Sequence, residues 1–228
     1  MVLNNERTHI AIVDYGMGNL FSVQQACEYA GFKAVITHDR KQILEAAGII
    51  LPGVGAFGDA MANLKKLDLI VALRDYVTMG RPLMGICLGM QLLMGHSEEF
   101  GFHEGLGIIE GAVVRFPDQD NYGQILKVPQ VGWNIIFIPD GKNENFWAAS
   151  PLNDIANGEF MYFVHSFYVK PVAADVALSV STYKGVTYCS ALQKEGIFAT
   201  QFHPERSAQN GLQIYKNWRL KITEPCQK

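Results

Sequence analysis

The chain has 228 residues, enough for one domain able to bury about 70–75% of the surface its unfolded form exposes. A net charge of −3 gives no electrostatic reason for a polyanionic partner, so no nucleic acid is expected. Four scattered cysteines, a polar start and the lack of any apolar run of about 18 residues predict no disulfide framework, no metal or cofactor site, no membrane segment and a cytoplasmic protein.

Residues 1–8 read as an N-terminal extension, 9–223 as a single domain and 224–228 as a C-terminal tail. His9-Ile10-Ala11-Ile12-Val13-Asp14 is a continuous apolar strand, followed by a glycine turn and a helix over 19–30. Strands over 33–37 and 48–51 flank a short helix over 40–46. The loop Pro52-Gly53-Val54-Gly55-Ala56-Phe57-Gly58 then leads into helical patterns over 59–79, with a break near Leu67-Asp68, and a fourth strand covers 82–86. This alternation predicts an α/β fold, a three-layer flavodoxin-like sheet, mostly parallel, with helices on both faces. An apolar helical run continues through Met94, and a loop is expected over 96–101. Beyond it the chain turns strand-rich: 108–116 and 126–138 read as a pair, 160–164 as a further strand, and 177–182, 187–193 and 197–201 as an antiparallel extension of the sheet. A last helix covers 207–222.

Gly85-Ile86-Cys87-Leu88-Gly89 sits where the fourth strand meets a helix. A glycine two residues to either side removes the Cβ atoms that a sharp strand-to-helix turn would force together, so Cys87 stands at the tip of a nucleophile elbow. The first turn of a helix offers that sulfur unpaired N–H groups and the positive end of the helix dipole. Cys27, Cys189 and Cys226 lack such a frame.

A sulfur attacking an amide needs a base that later protonates the leaving amine, and histidine suits both steps. His203, in Gln201-Phe202-His203-Pro204-Glu205, lies at the end of a buried strand. Proline after it favours an extended backbone, which sends the side chains of His203 and Glu205 off one face, with Glu205 placed to hold one ring nitrogen. Strand tips at the carboxyl edge of a parallel sheet converge on one crevice, so Cys87, His203 and Glu205 form a candidate triad. The Leu88 N–H and the Gly53-Val54 backbone are candidates for the oxyanion hole. The spacing Gly53-x-Gly55-x-x-Gly58 also matches a dinucleotide fingerprint, but the acidic residue expected at the end of the next strand is absent, since that strand ends at Cys87.

These residues resemble the class I, triad-type glutamine amidotransferases. Within that class, Asp14-Tyr15-Gly16-Met17-Gly18-Asn19, Val131-Gly132-Trp133-Asn134 and Tyr162-Phe163-Val164-His165-Ser166 resemble the glutaminase subunits of imidazole glycerol phosphate synthase. The resemblance implies hydrolysis of glutamine to glutamate and ammonia through a thioester on Cys87, with His203 moving the proton and Glu205 orienting it. It implies glutamine contacts at Gly55, Gln91 and the Ser166-Phe167 backbone, and an interface through Asn19, Trp133 and Arg206. The implied partner is a separate (β/α)₈-barrel cyclase, in a heterodimer that makes imidazole glycerol phosphate for histidine biosynthesis. Many relatives have tyrosine in place of Phe167 and lysine in place of Arg206. The alternative readings are a paralogue that supplies ammonia to an amidotransferase of surface-polysaccharide sugars, or a non-catalytic interaction protein.

Overall fold

A computed structural model describes residues 9–119 and 123–223; the expected extension 1–8, the tail 224–228 with Cys226, and residues 120–122 lie outside the described residues. The first half runs β1 (His9–Val13), α1 (Leu20–Tyr29), β2 (Lys33–Thr37), α2 (Arg40–Glu45), β3 (Gly48–Leu51), α3 (Phe57–Lys66), α4 (Leu69–Thr78), β4 (Leu83–Ile86) and α5 (Leu88–Leu92). The second half contains β5 (Met94–Ser97), β6 (His103–Glu104), β7 (Ile109–Arg115), β8 (Gln130–Ile136), β9 (Glu159–His165), β10 (Phe167–Pro171), β11 (Ala177–Tyr183), β12 (Val186–Lys194), β13 (Ile197–Thr200) and α6 (Ala208–Thr223).

The central sheet has seven strands in the order β11-β12-β13-β4-β3-β1-β2. The five strands from β13 to β2 are parallel, and β12 and β11 add an antiparallel edge. Its apolar strands feed two cores by alternation, as a sheet covered on both faces requires. Ala11, Val13, Ile49 and Leu51 point into a core shared with Phe57, Leu64, Leu73 and Met90. Ile10, Ile12, Ile50 and Met84 point into the opposite core, with Val23, Cys27, Ile214 and Trp218. Helices α1 and α6 therefore cover one face and α2 to α5 the other.

Local chemistry sets the helix ends. Asn19 caps α1 by accepting from Ser22 N, and Asp39 caps α2 by accepting from Gln42 N, each satisfying an N–H three residues on. The expected break between α3 and α4 falls at Asp68, whose φ of 55° is a left-handed conformation that aspartate tolerates. No helix among the described residues is long and apolar enough to cross a membrane.

The strand-rich half departs from the sequence expectation in three places. The apolar run after the elbow does not stay helical to Met94: α5 ends at Leu92, and Met94–Ser97 becomes β5 in a second sheet ordered β10-β7-β5-β6. The carbonyls released there are taken from a distance, Leu92 O by Leu106 N at 2.8 Å and Met94 O by Gly107 N at 3.0 Å. This approach is close enough that a Cβ on Gly105 would stand 2.2 Å from Met94 O. Residues 126–138 do not pair with 108–116. Pro129 and Pro139, which have no N–H for a ladder, bound a shorter β8 that pairs with β9, while β7 lies between β5 and β10. Of the second half, only β11, β12 and β13 extend the main sheet.

Candidate active site

β4 and β13 are adjacent and parallel, in register from Leu83↔Ile197 to Ile86↔Thr200. Cys87 is the residue after β4, and its N–H donates to Thr200 O at 2.7 Å. Its backbone is left-handed, at φ 54° and ψ −108°, a conformation that costs a non-glycine residue about 1–3 kcal/mol and turns its side chain out of the strand line. Two glycines permit the turn. A Cβ on Gly89 would stand 1.7 Å from Leu51 O, and one on Gly85 3.0 Å from Ala199 Cβ and 3.1 Å from Met90 N. Cys27 and Cys189 are packing residues by contrast; burial pushes both thiols up, Cys189 to about 12.

His203 lies three residues beyond β13, fixed by its N–H to Tyr162 O at 2.9 Å and by its carbonyl, which accepts from Ser207 Oγ at 2.7 Å. The extended path expected through 203–205 ends at His203: residues Pro204–Arg206 form a short 3₁₀ turn. That turn brings Glu205 back to the ring, so the pair meets by reversal of the chain rather than by strand alternation. Glu205 Oε1 lies 2.8 Å from His203 Nδ1, with both side chains buried. Nε2 has no other partner and is left for the Cys87 sulfur. Burial by itself would hold the ring neutral; the Cys87 sulfur and, behind the ring, the Glu205 carboxylate outweigh it and raise His203 to about 10.

Beside the sulfur is a cavity of about 300 Å³, room for one small polar molecule, lined by Val54, Gly55, Cys87, Leu88, Gln91, Ser166 and Phe167. Its walls also include Glu99 and His165, two residues that the sequence pattern did not single out as site residues. Gln91 reaches across it, Nε2 donating to Phe167 O at 2.9 Å. Gly53 stands behind the wall, where a Cβ would come 2.2 Å from the Tyr15 hydroxyl, and Tyr15 donates to Pro52 O at 2.6 Å. Leu88 N–H donates to Gly53 O at 3.4 Å, so in this arrangement the loop's carbonyl occupies the donor read from the sequence as part of an oxyanion hole.

Glu99 bears on the dinucleotide pattern. Its carboxylate accepts from Phe57 N, the first residue of α3, and thereby fills the helix N-terminus at which a pyrophosphate would sit. Burial raises the Glu99 carboxyl above its usual range. The signal for it in the sequence is Ser97-Glu98-Glu99-Phe100, where Ser97 Oγ accepts from Glu99 N and turns the chain.

His165 is buried against Phe116, Phe163 and Tyr188, with ring centroids 5.2, 5.7 and 5.2 Å away. Burial lowers it to about 4, despite the bond from Nδ1 to Phe167 O at 2.9 Å. The folded ring stays neutral where the unfolded ring, near 6.5, takes up a proton, so stability falls as pH drops from about 6.5 towards about 4. The expected contribution is about 3 kcal/mol at the acid end. Urea unfolding at pH 7 and pH 4.5 should show a smaller acid loss in His165→Gln than in the parent; equal losses would contradict this origin.

Trp133, Tyr162 and Arg206 form one surface stack. The Trp133 and Tyr162 rings meet edge to face at 6.1 Å, and the Arg206 guanidinium lies 4.5 Å from the Tyr162 ring. Val131, Trp133 and Phe160, all half or more exposed, extend it along the β8–β9 ribbon. Asn19 stands apart from this stack as the exposed cap of α1.

Residues 11–222 match the family of class-I glutamine amidotransferases. The chain is 48% identical over 212 residues to the imidazole glycerol phosphate synthase subunit HisH of Geobacter metallireducens, covering 92% of this chain and 97% of that one. It is 44% identical over 211 residues to the corresponding HisH protein of Geobacillus thermodenitrificans, covering 92% and 95%. Among solved structures, a glutaminase domain of Trypanosoma brucei CTPS with bound acivicin superposes with a TM-score of 0.64 at 19% identity, covering 95% of this chain and 94% of that one. A chain of PurLQS from Thermotoga maritima gives 0.65 at 18%, covering 95% and 99%. At these identities the two structures speak for the fold alone.

Proposed function

The chain belongs to the class-I glutamine amidotransferases and, within them, to the HisH subunits of imidazole glycerol phosphate synthase, and from this premise we propose how its own residues release ammonia from glutamine. As a HisH protein it serves histidine biosynthesis together with a cyclase subunit. The observation that carries the catalytic reading is the buried His203, held by Glu205 at 2.8 Å and raised to about 10 with the Cys87 sulfur at its other side.

A ring raised that far holds the proton that the Cys87 sulfur gives up before it attacks. The sulfur attacks the carbon of the glutamine side-chain amide, and the carbonyl electrons move onto oxygen. His203 gives its Nε2 proton to the amide nitrogen, the C–N bond breaks, and ammonia leaves a thioester on Cys87. The neutral ring then takes a proton from water, whose oxygen attacks the thioester; glutamate departs, and the sulfur and charged ring are restored. Glu205 holds Nδ1–H throughout and keeps Nε2 facing the reaction. Glu99 offers the α-ammonium group a carboxylate, the Ser166-Phe167 backbone lies beside the α-carboxylate on the same carbon, and Gly55 and Gln91 line the cavity around the side chain.

The negative oxygen needs donors, and Leu88 N–H is turned to Gly53 O. Rotation of the Gly53-Val54 peptide would withdraw that carbonyl and bring the Val54 N–H in its place, freeing Leu88 as the second donor. With the loop turned, both N–H groups face the developing oxyanion. Docking of the (β/α)₈-barrel cyclase on the exposed Trp133–Tyr162–Arg206 stack gives that turn a source of free energy, and release of ammonia is thereby timed to a partner able to use it.

Glutamate release by the purified chain should be slow alone and rise at least about a hundredfold when the cyclase and its nucleotide substrate are added. An unchanged rate, with the cyclase active on free ammonia, would overturn the partner assignment and leave the triad standing.

A further inference from the structure

The catalytic reading leaves Gln201 without a task, although it is fully buried and lies two residues before His203. Its carboxamide spans the space between Gln91 and the nucleophile. Gln91 Nε2 lies 3.1 Å from Gln201 Oε1, and Gln201 Nε2 lies 3.6 Å from Cys87 Sγ.

The direction of this row of bonds is set by its far end. The Phe167 carbonyl can only accept, so the Gln91 atom 2.9 Å from it is the nitrogen, whose two hydrogens serve Phe167 O and Gln201. The Gln201 atom facing that nitrogen must be oxygen, which leaves the Gln201 nitrogen facing the sulfur. His165 Nδ1 bonds the same Phe167 carbonyl at 2.9 Å from another side and holds it in place. The Gln201 main chain is fixed too, its N–H donating to Ser190 O at 2.8 Å. A main-chain carbonyl on β10 thus dictates that an N–H, and not an oxygen, is presented to Sγ.

The two states of the sulfur have different partners. As a thiol it has the Val164 carbonyl, 3.8 Å away, to accept its hydrogen. Once charged it cannot donate, and an N–H directed at it gains strength because the acceptor is ionised. We infer that Gln201 is a positioning residue that holds the charged Cys87 sulfur in line for attack and ties it, through Gln91, to the wall of the glutamine cavity. This rests on the reading of Cys87 as the nucleophile.

The test uses two variants, each in the complete complex with the cyclase. Gln201→Glu keeps an oxygen for Gln91 but loses the N–H that faces the sulfur; Gln201→Met loses both. Gln201→Glu should lower kcat for glutamate release about tenfold or more with KM for glutamine within about twofold, the loss expected of one bond to a charged group. Gln201→Met should lower kcat similarly and also raise KM, because Gln91 loses an acceptor. If both variants keep kcat within about twofold, or only KM rises, the inference is overturned and Gln201 is a wall of the cavity. A further measurement needs no substitution: alkylation of Cys87 with iodoacetamide in the ¹⁵N-labelled chain should move the side-chain NH₂ resonances of Gln201, and unmoved resonances would overturn the proposal even if neither variant folds. Cys87→Ala separates the two readings. If it still releases glutamate, the nucleophile assignment has failed; if it is inactive, the Gln201 results bear on Gln201 alone.

Discussion

Cys87→Ala should reduce glutamine-dependent turnover by at least about 10³-fold, the scale seen when a nucleophile is removed and binding alone remains. The substitution is a clean one for this backbone. Alanine keeps the Cβ already present at φ 54°, so it adds no strain to the elbow, and the fold should be retained. Its complex with the cyclase should still make product from ammonium salts, since nothing on the cyclase has changed. A second consequence is electrostatic. The sulfur is the largest influence raising His203 to about 10, against burial, so in the variant the imidazole should titrate well below that value. Imidazole NMR resonances followed from pH 5 to 11 check this; an unmoved midpoint would mean that Glu205 alone sets the proton affinity. Retained glutamate release would remove the thioester mechanism altogether.

Gly89→Ala should have the largest effect on folding. Its Cβ would be 1.7 Å from Leu51 O and 2.7 Å from Leu51 C, and both are main-chain atoms of a central strand. Neither β3 nor the first turn of α5 can yield without breaking the elbow, so the expected loss is about 3 kcal/mol or more, a large part of the roughly 5–15 kcal/mol that holds a domain folded. Gly58→Ala is the contrast. There the nearest atoms belong to the His103 ring, at 2.7 Å from its Cε1, and a side chain can swing aside. Urea midpoints for the two variants should differ widely, and glutamate release should fall only in Gly89→Ala. Similar midpoints would show that the close approach of β3 to the elbow is not what demands glycine.

Several features of this site are readable along the chain because short-range sterics decide them. A glycine on either side of Cys87 marks the elbow, since such a turn leaves no room for a Cβ at either position. The run from His9 to Val13 and that from Leu83 to Ile86 mark strands buried on both faces, since each alternate residue must enter an apolar layer. Asn19 marks a helix start, since its side chain satisfies a free N–H three residues on. His203 and Glu205 are a candidate pair by nearness alone, although a 3₁₀ turn rather than an extended strand brings them together.

What sequence could not supply depends on partners far away in the chain. The end of α5 at Leu92 is decided by N–H groups of residues 106 to 109, and the pairing of β8 with β9 rather than with β7 by strands about thirty residues apart. The roles of Glu99, His165 and Gln201 emerge only when the first N–H of α3, a carbonyl of β10 and the Cys87 sulfur are brought within bonding distance. The sequence by itself marked Cys87, His203 and Glu205 as candidates and put Cys87 and His203 just beyond strand ends, because backbone geometry and burial act over a few residues. Only the tertiary structure decided the direction of the bonds that reach the sulfur and the engagement of Leu88 by Gly53, because a hydrogen bond needs donor and acceptor brought within reach, and identity alone does not bring them together.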